Sequence, residues 1–164
     1  MRLLRYLFFG IAAVVLQTTL VPTVGVFEQR PDLIVIFAVI AGSLEGPRWG
    51  ATAGFLAGLA VDVYHPPTFG AGAMGGAVAG YLGGKTRVFL DLESPVNQAA
   101  AFFAAHLGHD GVYALVVAVK AEGNFWEMFI LHGIGSGIYS ALGGVLVFAV
   151  LQAAARGRGG LDLR

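Results

Sequence analysis

Apolar runs separated by short polar punctuation organise this chain. Residues 6–27 carry no charge, and 33–44 form a second apolar run opened by Pro31-Asp32. Proline in a first turn beside an acid is a helix-start signal. Residues 49–61 are apolar again and end at Asp62, with Glu45-Gly46-Pro47-Arg48 between the two runs as a tight polar turn. The segment His65-Pro66-Pro67-Thr68-Phe69-Gly70 cannot continue as regular helix, because adjacent prolines remove backbone donors. The pattern predicts helices over 3–21, 33–44, 49–61, 71–84, 95–119 and 125–155, with the charged stretch 85–93 and the polar stretch 120–127 as loops. A bilayer core of about 30 Å needs about 20 apolar residues per spanning helix. The second and third helices fall short of that, so each carries a charged end into the interface or the protein interior. Spanning β-strands would alternate polar and apolar residues over about 10 positions, and these runs do not alternate.

Six crossings place both termini on one side. On that side fall Arg2, Arg5, Arg48, Lys85, Arg87, Arg156, Arg158 and Arg164; the other side holds Arg30 and Lys120. The excess of basic residues marks the cytoplasmic face, so both termini are expected there. The expected fold is therefore an all-α integral membrane protein of six transmembrane helices. A single domain would cover 1–155, followed by a short cytoplasmic polar tail, 156–164.

Composition agrees with a membrane protein. Of 164 residues 57% are hydrophobic and 12% charged, against about 25% charged in ordinary globular domains. Mean hydropathy is +0.75. Disorder is excluded by the hydrophobicity, and the zero net charge argues against nucleic-acid binding. The neutral total is a sum over unlike faces. Eight bases meet Glu45, Asp91, Glu93 and Asp162 inside, a balance of +4; two bases meet Glu28, Asp32, Asp62, Asp110, Glu122 and Glu127 in the outer half, −4. With no cysteine, thiolate metal sites and disulfides are excluded.

Small residues let helix backbones approach one another in lipid. Gly50, Gly54 and Gly58 recur every fourth residue, as do Gly72, Gly76, Gly80 and Gly84, and Gly133 and Gly137. Each row makes a groove on one helix face, suited either to internal packing or to docking a partner helix. Acids and histidines within membrane helices are costly, so they normally have a partner or a role. His106, His109, Asp110 and His132 form an expected intramembrane polar cluster in the outer half, near Asp32 and Asp62; His106 and Asp110, four residues apart, share a helix face. Three readings stand: a satisfied internal network, a polar seat for a ligand or partner arriving from outside, or a catalytic or metal site. No nucleophile, zinc or phosphate-binding motif supports the third. Asp62, just before Pro66-Pro67, is either an interfacial acid or a buried one that holds the following loop by accepting backbone hydrogen bonds.

Several ordered motifs resemble the rod shape-determining protein MreD family: Leu16-Gln17-Thr18-Thr19 with Pro22; Pro31-Asp32-Leu33; Gly46-Pro47-Arg48 leading through Gly50, Gly54, Phe55, Gly58 and Leu59 to Asp62; Phe69-Gly70-Ala71; and Gly80-Tyr81-Leu82-Gly83-Gly84. The resemblance covers roughly residues 10–90. It implies a bacterial inner-membrane scaffold with no enzymatic activity and no cofactor. Its partner would be MreC, a single-span protein with an outer domain; MreB, RodA and its transpeptidase, and membrane lipid, are further expected contacts. The fold it implies is similar to the substrate-binding component of energy-coupling-factor vitamin transporters. The Ala-x-x-x-Ala docking pattern of those components is missing from the first helix, which has only Ala12 and Ala13. Asp32, Arg48, Gly50, Gly54, Gly58, Asp62, Pro66 and Pro67 are then candidates for partner binding or for shaping the helix 2–3 unit. The alternative is a small-molecule binding or transport protein using an outward cavity.

Overall fold

The computed structural model describes residues 2–24, 30–89, 94–121 and 124–157, and over these it is helical with no strand. Helix α1 spans Arg2–Thr19 and a short α2 spans Val21–Val24. They are joined at Leu20, where Pro22 has no N–H to continue the ladder. Helix α3 is Leu33–Glu45, α4 Pro47–Asp62, α5 Ala71–Phe89 and α6 Pro95–Ala121. A last rod comprises α7 (Phe125–Met128), a π-helical turn (Phe129–Gly133) and α8 (Ile134–Gly157).

Several boundaries differ from the sequence expectation. The turn after α3 is a single residue, because Gly46 takes φ 100° and Pro47 already occupies the first turn of α4. Lys85–Phe89, expected as loop, continues α5 with no proline or glycine to stop it; 90–93 lie outside the described residues. Lys120 likewise belongs to α6. The last helix is interrupted by the π turn and continues two residues past the expected domain end at 155, while 158–164 lie outside the described residues.

Helix α3 is apolar all round, the signature of a buried helix. It is enclosed by the others, with Val35 and Ala38 wholly buried. The core joins Val35, Ile36, Val39 and Ile40 of α3 to Ala79 of α5, Phe102 and Ala105 of α6, and Ala141 and Phe148 of α8. Helices α4 and α5 make the most extensive contact in the bundle. Their glycine rows face each other antiparallel. A Cβ at Gly50 would collide with the Gly80 carbonyl, one at Gly54 with that of Gly76, and one at Gly58 with that of Gly72; Gly84 abuts Pro47. The two rows therefore occupy one another, and neither is left as a groove for an outside helix. In α8, Gly137 and Gly144 admit the rings of Phe103 and Phe102, and in the π turn Gly133 faces Asp110.

The remaining surface is apolar. Helix α1 leaves Leu4, Leu7, Phe8, Ile11 and Val15 uncovered, and α8 presents Ile134, Ile138, Leu142, Leu146 and Val150 along one outer stripe. Such contiguous apolar faces are stable in lipid and not in water. Three helical stretches, Leu4–Thr23, Pro95–Lys120 and Ile134–Ala153, are long and apolar enough to cross a membrane; α3 is a shorter apolar helix.

A candidate polar cavity at the α3 N-terminus

Helix lengths create the site. Thirteen residues make α3 about 20 Å long, beside an α6 of about 40 Å. At the Gly46 end α3 is tied to α1, where the Tyr6 hydroxyl donates to Glu45 at 3.0 Å. At the other end α3 stops well short. Its first residues meet Ser140, about 24 Å along the last rod from the Asn124 cap. A cavity of about 320 Å³, partly open to the surroundings, lies over this sunken N-terminus.

The start of α3 is fully tied. Asp32 Oδ1 caps the helix by accepting from the Ile34 and Val35 amides at 2.8 and 3.1 Å. The Asp32 amide donates to the Ser140 hydroxyl at 2.9 Å, and the Leu33 amide to Gln17 Oε1 of α1 at 2.8 Å. Gln17 in the apolar first helix and a serine in the last thus provide acceptors that the sequence reading did not count among the site residues; Gln17 stood in the Leu16–Thr19 motif, and Ser140 was only a polar residue in an otherwise apolar run.

Asp62 is buried, 3% exposed. Its carboxylate accepts from the amides of Gly70 (2.9 Å), Gly72 (3.0 Å) and Ala73 (2.9 Å). The acid ending α4 thereby caps α5 from a distance, across a connection in which Gly70 adopts φ 94°. Pro66 and Pro67 form an exposed 3₁₀ turn with Thr68. That turn is tied to α6 by Lys120 Nζ donating to the Phe69 carbonyl at 2.6 Å, and by a longer 3.4 Å contact of the Tyr113 hydroxyl with Thr68.

On the α6 side, His109 Nδ1 lies 2.8 Å from Asp110 Oδ1 and His106 Nε2 lies 3.2 Å from Asp110 Oδ2. The His106–Asp110 pairing expected from helix periodicity is present, and the adjacent His109 shares the same carboxylate. The His106 contact lacks hydrogen-bonding alignment, so this ring, 1% exposed, has neither nitrogen hydrogen-bonded. His109 stacks between the rings of His106 and Tyr113 and turns Nε2 toward Asp32 Oδ2, 3.9 Å away. Gly75 of α5 leaves room for it, since a Cβ there would lie 3.0 Å from Nε2.

The structure thus gathers Asp32, Asp62, His106, His109 and Asp110 around one cavity, with Gln17, Arg30, His65, Tyr113 and Ser136 also in its lining. Arg48 does not join them; it is exposed at the opposite end, on the first turn of α4. The backbone of His132 lies in the π turn, and its side chain is outside the described residues. Among the described residues no group of three or more histidines and acids is arranged to hold a metal ion.

The family model described as rod shape-determining protein MreD matches residues 1–152. No curated protein matches the chain. With nearly the whole chain matched and three membrane-length apolar helices in the fold, the chain belongs to the rod shape-determining protein MreD family and is an integral membrane protein.

Proposed function

We propose that this protein is a non-enzymatic scaffold of the bacterial rod-shape machinery. In this reading it crosses the inner membrane six times with both termini cytoplasmic, as one domain over 1–155 with a polar tail. It binds the single-span protein MreC and through it helps organise peptidoglycan synthesis with MreB, RodA and its transpeptidase. The observation that carries the reading is the family match over residues 1–152. The orientation draws support from the distribution of bases: Arg5, Arg48 and Lys85 gather at the Gly46 end of the bundle, while Arg30 and Lys120 lie at the cavity end. The cavity then opens outward, and Asp62 with the Pro66–Thr68 turn holds its rim.

Because the α4 and α5 glycine rows are filled by each other, a partner helix has to use another face, such as the uncovered sides of α1 or α8. Co-purification with MreC, followed by photocrosslinking from Ile11 or Ile138 and from the buried control Ala57, tests this. Crosslinks from the outer positions only are expected. Failure to co-purify under conditions that retain the folded protein would sink the partner reading.

The cavity favours a second reading, a small-molecule carrier of the vitamin-transporter type. Tight retention of a small ligand by the purified protein, independent of any protein partner, would select it.

A further inference from the structure

We propose that His109 is a proton-operated clasp between α6 and the start of α3, so that acidity on the cavity side sets whether the cavity floor is locked. The ring stands between two carboxylates from different elements. Its Nδ1 lies 2.8 Å from Asp110 Oδ1 on α6, and its Nε2 faces Oδ2 of Asp32, the cap of α3, at 3.9 Å. A neutral imidazole carries one N–H and one lone pair. In either neutral form one of the two carboxylates therefore faces a lone pair. The imidazolium, with an N–H on each nitrogen, offers a donor to both. The shorter contact keeps its proton, so deprotonation of the ring falls on the Asp32 side.

The packing turns that loss into movement. His109 is buried between the rings of His106 and Tyr113, whose centroids lie 6.2 and 6.0 Å away. Against α5 it is so close that a Cβ at Gly75 would lie 2.6 Å from its Cδ2. The ring cannot swing aside, so Asp32 has to give, and Asp32 Oδ1 holds the Ile34 and Val35 amides. The charged and titratable groups around the ring are Asp32 before α3, Asp62 from α4, and His106, Asp110 and Tyr113 from α6, with Arg30 and His65 from the connections. Among the described residues α1, α5, α7 and α8 line the cavity with Gln17, Gly72, Met128 and Ser136, none of them charged. Asp62 is satisfied by three backbone amides, and the second oxygen of Asp110 lies 3.2 Å from His106 Nε2. Three carboxylates thus face the one fixed cation of Arg30, and a positive His109 offsets the excess. Protons reach the ring because the cavity it lines is partly open. The clasp works alike whether the cavity serves a protein partner or a small molecule.

Imidazole ¹⁵N resonances of the full chain in nanodiscs, with histidine labelled, test the proposal across about pH 5 to 8, assigned through single His→Gln variants. Hydrogen exchange at Ile34 and Val35 is followed in parallel and corrected for the intrinsic rise with pH. Both His109 nitrogens are expected to be protonated at the acid end. As pH rises Nε2 loses its proton, Nδ1 keeps its own, and protection of Ile34 and Val35 falls several-fold over the same interval. Asp32→Asn should weaken proton binding at His109 about tenfold or more and abolish the coupled change at Ile34 and Val35. The new side chain still caps α3 and its amide suits a neutral ring; melting at the wild-type temperature verifies the fold. A His109 that holds one protonation state across the range, or one that titrates while Ile34 and Val35 stay equally protected, overturns the clasp, and both are read on the unaltered chain. So does a titration that Asp32→Asn leaves unmoved in a folded protein. None of these outcomes depends on MreC, so failure of the partner reading and failure of the clasp are separately visible.

Discussion

Removing the Asp62 carboxylate should be among the most damaging single changes in this protein. Asp62→Ala leaves the amides of Gly72 and Ala73 buried and unpaired, and that of Gly70 partly so. A buried donor left without its acceptor costs about 1–3 kcal/mol. The two fully buried amides give roughly 2–6 kcal/mol, and the third, only partly buried, adds little. A central value of about 4 kcal/mol is a large part of the roughly 5–15 kcal/mol by which folded domains are stable. For a chain of this length it corresponds to a fall of about 8–16 °C in melting temperature. Asp62→Asn retains one acceptor oxygen and should fall between wild type and Asp62→Ala. The assay is thermal unfolding by circular dichroism in nanodiscs, paired with hydrogen exchange at residues 70–73. If Asp62→Ala melts within about 2 °C of wild type, with the Gly72 and Ala73 amides still protected, the remote cap does not hold α5 and the reasoning fails.

Gly54→Leu should prevent α4 and α5 from closing, because even a Cβ at Gly54 collides with the Gly76 carbonyl; a protein that runs as a monodisperse, normally melting species would contradict the interlocked rows. Ser140→Ala removes the acceptor of the partly buried Asp32 amide and should cost about 1 kcal/mol, the low end for a donor left unpaired, read as a lower denaturation midpoint in the same membrane mimetic. Lys120→Met should speed hydrogen exchange at Thr68–Gly70 while leaving the melting temperature nearly unchanged, since it releases only an exposed tether to Phe69; unaltered exchange would show that the tether does not order the turn. The chain has no cysteine, so single introduced thiols report topology cleanly. Tyr64→Cys at the cavity end should label with an impermeant maleimide on intact cells, and Trp49→Cys at the Gly46 end only after permeabilisation. The reverse pattern would invert the proposed orientation.

Much of the helical framework was legible because its signals are local. The starts of α3 at Pro31-Asp32 and of α6 at Pro95, and the break at His65–Gly70, follow from proline and glycine backbone preferences. The Lys85–Phe89 extension was not legible, because a charged segment beyond an apolar run is compatible with either helix or loop. The site was half legible. His106 and Asp110 share a face at i, i+4 on any helix, so their approach was readable. That His109 would share Asp110 while facing Asp32, some 77 positions earlier, was not.

Residue order and type therefore decided the membrane environment, the number and approximate ends of the long helices, and which residues are too polar to lie in lipid unpartnered. These depend on neighbours within a turn or two and on transfer from water. Packing decided which glycine rows interlock, that Gln17 and Ser140 close the α3 N-terminus, that Asp62 caps a helix it does not belong to, and that a short α3 between longer helices leaves a cavity above it. Those outcomes rest on contacts between residues from 8 to 108 positions apart. No local pattern encodes such contacts, because each residue's partner is chosen by how the rods settle against one another.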